Sequence, residues 1–436
     1  MATTYLSRTP ASAGSRTTWT FSAWIKRANT STTGHQIFDC SPTPGTDESK
    51  IYFYNDFLYW KQEVGGGGAD GYLVTNRKFR DVSAWYHIVC QWNTTDATDS
   101  ERMKIWINGV QETSFSTNNL PDQNRESFIN SANAHYIGSA QGTGSNFDGQ
   151  MTHVHFIDGT AYDADTFGET DATTGIWKPK TTPSVTYGTN GFFLKFENSG
   201  SMGTDSSGNS NNFTVNGTMT QTIDTPSNVF ATLNPLIASS IPTYSNGNLT
   251  IAGASTWESS PSTLAVSSGK YYAEFKDVSG TNNMVGVENA EIQSWIVQFP
   301  GWSSDGWGYA RDGGKRNSGI DTSYGSSFTS GDIISIALDM DNKYVYFAKN
   351  GVWQNSGDPT SGATGTGGLS LSADLYYFVT ASFNSSSSAN FGNGYFGTTA
   401  VSSAENPDDG IGIFEYAVPT GYKALCTKSI NAQEYD

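Results

Sequence analysis

Branched apolar residues alternate with small residues through GDIISIALDMDNKYVYFAKNGVW, residues 331–353. Ile334, Ile336 and Leu338 fall on one face of an extended chain, with Ser335 and Ala337 on the other, and this period of two predicts a strand. Asp339 to Lys343 is a turn, Tyr344 to Lys349 alternates again, and Asn350-Gly351 supplies the positive φ of a tight hairpin. The same device recurs in the N-terminal half, where Met103, Ile105 and Ile107 lead into Asn108-Gly109. Two such hairpins predict an all-β chain of two antiparallel sandwiches in tandem.

TWTFSAWIKR places Trp19, Phe21, Ala23 and Ile25 on one face and Trp24 on the other. IYFYNDFLYWK, FRDVSAWYHIVCQWN, AHYIGSA and QMTHVHFIDG follow at strand-like lengths between Gly-, Asn- and Thr-rich turns. A short helix is expected at Asp163 to Phe167, a strand at Phe192 to Phe196, and an extended linker over PSNVFATLNPL, residues 226–236. The tail PTGYKALCT reads as a turn and a short strand. The domains expected are therefore 1–165, a connector with an added strand over 166–238, 239–400, and a C-terminal piece over 401–436.

Composition agrees with sheets whose outward faces are hydroxyl and amide: of 436 residues only 15% are charged, 13% are aromatic and 47 are glycine. The net charge of −17 repels nucleic acid, and no basic patch offsets it. Three cysteines without a CxxC exclude a disulfide framework, and Cys90 reads as a small buried thiol. The N-terminal stretch has no apolar core of the kind a secretion signal needs, and no apolar run is long enough to span a bilayer.

SAWIKR, AWYHIVCQWN, KIWINGV, HYIGSA and FDGQMTHVHFIDG resemble the successive strands of a laminin-G-like, concanavalin A-type jelly roll covering most of residues 1–160. GKYYAEFKDV, GWSSDGWGYARDGGKRNSG and the 331–353 stretch resemble the SPRY domain, a second concanavalin A-like β-sandwich. With the GTNGFFLKF, DSSGN and FATLNPL connector and the VPTGYKALCTKSI ending, the whole chain resembles structural proteins of tailed bacteriophages, marine phages especially. The resemblance implies a virion-surface protein assembled in the host cytoplasm, a tail fibre or capsid-attached appendage. Its partners would be other virion proteins and a host-surface glycan or receptor, with a homo-oligomer expected and neither nucleic acid nor membrane insertion. A purely structural capsid decoration and a polysaccharide depolymerase are the alternatives.

The candidate chemistry supports binding rather than catalysis. A glucanase needs paired carboxylates over a cleft, and the nearest fragment, Glu169-Thr-Asp171, has Thr174 where a third acid belongs. His153-Val-His155 puts two imidazoles on one strand face with no third ligand, and no nucleophile elbow or phosphate loop is present. Asp339, Asp341, Asp205 and Asn209 have the oxygen-rich look of calcium loops, Asp205 and Asn209 being the first choice for Ca²⁺, although such residues also make ordinary turns. The best recognition surface is Trp295, Trp302, Trp307, Tyr309 and Arg311, since aromatic faces stack on sugars or side chains and Arg adds a planar donor fork.

Overall fold

The structure, a computed structural model, describes residues 4–30, 33–237, 242–292 and 298–435. They fall into two compact units, residues 1–221 and 222–436. The expected connector is divided between them: 166–221 packs with the first unit and 222–237 with the second.

The first unit is two antiparallel sheets face to face. One has eight strands in the order Phe115–Asn119, Ala69–Lys78, Phe57–Glu63, Asp47–Tyr54, His35–Thr43, His135–Ile137, Tyr5–Arg8 and Thr214–Asn216. The other has six, from Phe192–Leu194 through Gly149–Asp158, Thr18–Arg27, Trp85–Asn93 and Met103–Ile107 to Val110–Gln111. Trp19, Phe21, Ala23 and Ile25 are all fully buried between the sheets, as the alternation requires. Trp19 lies 5.6 Å from Trp60 and 6.0 Å from Trp92, ring centre to ring centre, so three indoles fill the middle of the core. Asn108-Gly109 has both residues at positive φ, the geometry of the expected hairpin.

The other face of the six-stranded sheet is also buried, because residues 160–190 fold back over it. Tyr162, Phe167, Trp177 and Tyr187 pack there on Val89, Trp106 and Ile157. At the centre His87 lies between two indoles, with Trp24 at 4.8 Å and Trp177 at 6.0 Å. Trp177 Nε1–H donates to His87 Nδ1 (3.0 Å), which leaves the ring proton on Nε2 to donate to Ser22 Oγ (2.9 Å). The ring must be neutral to accept the Trp177 bond, and burial depresses its pKa to about 3. A bulge between Thr152 and His155, with His153 at φ +47°, interrupts the alternation expected of the two histidines. His155 stacks on Phe193 at 3.9 Å and bonds to the Tyr187 hydroxyl, inside the cover.

The second unit repeats the plan. Its larger sheet runs Thr243–Ser245, Thr250–Ala252, Ser386–Asn390, Lys270–Ser279, Ile333–Asp339, Tyr344–Lys349 and Val352–Trp353, with Leu369–Ser370 and Lys423–Ala424 as side pairings. The smaller sheet runs Glu258–Val266, Tyr376–Phe383, Asn282–Asn289, Trp307–Ala310, Gly314–Asn317 and Ile320–Ser323. Ile334, Ile336 and Leu338 face the core between them, and Asn350-Gly351 makes the expected hairpin.

Ser335, Ala337 and Asp339 are fully buried as well, on the opposite face. The stretch read as a linker covers that face together with the C-terminal segment: Phe230 packs with Tyr272, Tyr346, Phe414, Tyr422 and Ala424. Phe230, Ala231 and Leu233 are buried, so 226–236 is not a free linker. Glu274, fully buried on the same face, fastens the C-terminal segment. It accepts the N–H groups of Glu415 and Tyr416 (both 2.9 Å), the Tyr272 hydroxyl (3.1 Å) and Asn390 Nδ2 (3.3 Å). Burial pushes its pKa up to about 7. After the short strand at Lys423–Ala424, which was expected, the chain forms a helix, Thr427–Tyr435, which was not. Cys40, Cys90 and Cys426 are all buried and unbridged. Among the described residues no helix is long and apolar enough to cross a membrane.

The two units respond to pH with opposite sign. All five histidines lie in the first unit, where burial lowers His35 and His135 to about 4 and His87 to about 3. Unfolding frees them to bind protons from pH ~6.5 downward. Stability of this unit therefore falls as pH drops from 6.5 toward 4, opposed in part by Asp39, raised to about 6, and by Asp148, which burial also raises. The second unit has no histidine, and a glutamate raised from 4.5 to about 7 holds its proton more tightly when folded, so stability rises as pH falls through that window. Calorimetry between pH 7.5 and 4.5, with hydrogen exchange to assign the transitions, should show one moving down and the other up by several degrees. Trp177→Ala removes the stack and the hydrogen bond on His87 and should cost ~2–4 kcal/mol in urea unfolding of the first unit, leaving the second unchanged.

Candidate functional site

The smaller sheet of the second unit carries a loop on its outer face. In Asn282–Asn289, Val285 and Val287 point into the core, which turns Gly286 and Glu288 outward. The chain returning through residues 298–306 lies over this face, starting where the Ser259 hydroxyl donates to Gln298 O (2.6 Å). It can lie close because position 308 is glycine: a Cβ there would stand 2.0 Å from Pro300 O. Glu288 then fixes the turn, accepting from the Gly301 N–H and from the Ser303 hydroxyl, each at 2.6 Å. Its burial without a facing cation pushes the pKa up to about 7. From the other side the hairpin tip docks on the same turn, Ser318 N–H on Ser303 O and Gly319 N–H on Gly301 O, both 3.0 Å. Asn317 Nδ2 adds bonds to Ser304 O and Gly306 O.

This frame holds Trp302 out in solvent at 43% exposure, its ring resting against Gly319, where the missing side chain makes room. Phe299 meets it edge-on at 5.5 Å, Trp257 meets Phe299 at 5.3 Å, and Phe383 follows at 5.9 Å. Ile320, 64% exposed, stands next to Gly319 on the tip. The result is a shelf of four half-buried or exposed rings on a braced loop. A shelf of this kind offers stacking; among the described residues it presents no opposed pair of carboxylates.

Of the four described residues expected to form the surface, only Trp302 does so. Tyr309 is fully buried, packed on Tyr324, Phe328 and Phe347 with its hydroxyl donating to Ser326 O. Trp307 is half-buried against the core, its Nε1–H spent on Ser370 O (2.8 Å) and Lys315 over its ring. The Arg311 guanidinium is consumed by Asp277 (2.8 Å), Phe328 O, Thr329 and Ser330. Trp295 lies outside the described residues. Phe299, Trp257 and Phe383 went unread because they come together only through the pairing of Glu258 with Ser382 and the path of the loop.

The suggested calcium loops are turns closed by hydrogen bonds. Asp205 Oδ1 accepts the N–H groups of Phe193 and Ser207, and Oδ2 accepts the Ser207 hydroxyl and the Asn211 N–H, each at 2.8 Å. N–H dipoles aimed at both oxygens oppose a cation there. Asn209 points its amide nitrogen, not its oxygen, at Gly188 O and Gly191 O. Asp339 is spent on Lys270 and Asn342, and Asp341 on the Gly269 N–H. Glu169 and Asp171 both face Lys178 across a small hairpin, without a cleft between them.

Residues 2–165 match the family described as the concanavalin A-like lectin/glucanases superfamily, of laminin G type, and residues 270–394 match the SPRY domain. A Ran-binding proteins 9/10 homolog of Drosophila melanogaster is 35% identical over 89 residues, 20% of this chain and 9% of that protein. Ran-binding protein 9 of Homo sapiens is 34% identical over 86 residues, 19% of this chain and 12% of that protein. The chain thus spans only a small part of the length of these relatives. Among solved structures, the SPRY domain of human HERC1 aligns at 21% identity with a TM-score of 0.29, over 36% of this chain and 96% of that one. A heptameric SAP-like pentraxin from Limulus polyphemus aligns at 19% identity with a TM-score of 0.27, over 36% and 71%. The chain contains a laminin-G-like, concanavalin A-like sandwich and a SPRY domain.

Proposed function

We propose that this chain is a non-enzymatic binding protein of a tailed-phage virion surface, which holds the particle to its host through weak contacts with a cell-surface glycan. The observation that carries the binding role is the Trp302 shelf, a solvent-facing indole on a loop braced by Glu288 and the 317–319 tip. A sugar ring stacks its C–H face on an indole and turns its hydroxyls outward to the polar groups beside it. Each such contact is weak, and many copies on one particle make attachment effective. The motif order along the whole chain, and outward faces rich in hydroxyl and amide groups, support the virion setting.

A second reading takes the same shelf as a protein-docking site, favoured by the SPRY match and by relatives named as Ran-binding proteins. Aromatic shelves serve both uses, and the partner chemistry separates them.

Antibody labelling of purified particles should place this protein on their surface; unlabelled particles would remove the virion setting. Trp302→Ala, which takes away an exposed ring, should leave the melting temperature nearly unchanged and cut retention on host cells and on extracted envelope polysaccharide at least tenfold. Unchanged retention on both would refute the shelf, and loss on cells alone would favour a protein receptor. Gly308→Ala, whose Cβ displaces the Pro300 carbonyl, should reproduce the loss with Trp302 intact.

A further inference from the structure

On the eight-stranded sheet of the first unit, the residues between core positions point away from the core. Leu58 and Trp60 face in, so Tyr59 and Lys61 face out; Ile51 and Phe53 face in, so Lys50, Tyr52 and Tyr54 face out. The strand register sets these outward side chains in rows. Tyr72 pairs with Lys61, Lys61 with Lys50, Lys50 with Asp39, Asp39 with Tyr136 and Tyr136 with Ser7, one row across six strands and about 24 Å long. Beside it Tyr52 stacks on Tyr59 at 5.1 Å, with Tyr54 edge-on at 5.9 Å and Tyr72 at 6.2 Å; at the far end Tyr5 lies 6.1 Å from Tyr136. The rings form two patches on this face, Tyr52, Tyr54, Tyr59 and Tyr72 at one end and Tyr5 with Tyr136 at the other, with the buried Asp39 between them; Tyr54 is exposed and the others are half-buried.

Charge on this face is nearly balanced. Lys50 and Lys61 both reach Glu48 (2.8 and 2.7 Å), and Lys61 also reaches Glu63 (2.5 Å). Asp39, within the row, is buried, its Oδ2 accepting from Gln36 and Ser41, and burial raises its pKa to about 6. Two copies of a chain carrying −17 repel each other over most orientations, and a face whose cations and carboxylates nearly cancel is where they can meet. Tyrosine is the side chain best suited to such a contact, giving large ring area with little rotamer freedom to lose.

We infer that two copies of this chain associate through the tyrosine-paved outer face of the eight-stranded sheet. The paved area is about 300 Å² per copy, well under the ~800 Å² of a standard interface, so the pairing is weak. It is of the kind that matters where many copies are held close together.

Sedimentation equilibrium of the full chain from about 1 to 100 µM tests this. The expected result is a reversible dimer, weakened at least tenfold by Tyr59→Glu and unchanged by Trp302→Ala in the other unit. If Tyr59→Glu does not fold, Tyr54→Glu, on an already exposed ring, makes the same test, with calorimetry confirming the fold. A monomer across the whole range, or a dimer indifferent to the tyrosine variants, overturns the inference. So does a monomer that binds dextran through this face, which would assign the tyrosines to a glycan. Because the readout is self-association, its failure leaves the Trp302 reading standing, and the reverse holds too.

Discussion

A carboxylate taken out of water with no cation beside it has to be met by N–H and O–H donors, and this chain repeatedly supplies them from segments that lack regular structure. Glu274 collects the backbone of residues 415 and 416, and Glu288 that of the 301–303 turn. Two acids in less extreme settings do the same: half-buried Asp158 gathers Ser15, Asn130 and Asn190 at one rim of the first sandwich, and Asp205, with the Arg8 charge in its neighbourhood, closes the 205–211 loop on the Phe193 strand. Much of what reads as an acidic, turn-rich composition is therefore internal fastening. Sheets are specified by their alternation; the irregular part of each unit is tied to them through a few carboxylates. Losing one such acid frees a segment rather than a single contact.

This fastening also explains what the sequence could and could not reveal. Ile334, Ile336 and Leu338 were legible because period-two alternation and Asn-Gly turns are local properties. So were Trp19, Phe21, Ala23 and Ile25. Ser335, Ala337 and Asp339 look like the wet side of the same strand, yet they are dry because residues 226–231 and 411–426 cross over them. No local pattern announces a cover that arrives from a hundred residues away. The same blindness made Phe230 look like linker. It also made Tyr309 and Arg311 look available, when one fills the core and the other neutralises Asp277. Trp302 was readable because a tryptophan among Gly, Ser and Asp in a loop has little apolar company in sequence. Its neighbours Phe299, Trp257 and Phe383 needed the strand pairing to be known.

The two units expose different kinds of surface. In the second, one ring is raised on a braced loop, a geometry that meets a partner at a point and owes its precision to Glu288 and the hairpin tip. In the first, rings lie flat along rows fixed by strand register, so position is set by the sheet itself and no loop need be ordered on contact. A raised ring loses its place when its support shifts by an ångström. A paved sheet keeps its shape when one ring is trimmed, and is spoiled by a charge set among the rings.

The three thiols carry a last consequence. Cys40 and Cys90 sit in the core of one unit and Cys426 in the covered face of the other, none bridged. Burial drives the Cys40 thiol up to about 12 and Cys90 higher still, so neither forms the thiolate through which oxidants and disulfides react. The fold holds no disulfide for a reducing compartment to open, and its two most deeply protected thiols offer an oxidising one no thiolate to attack.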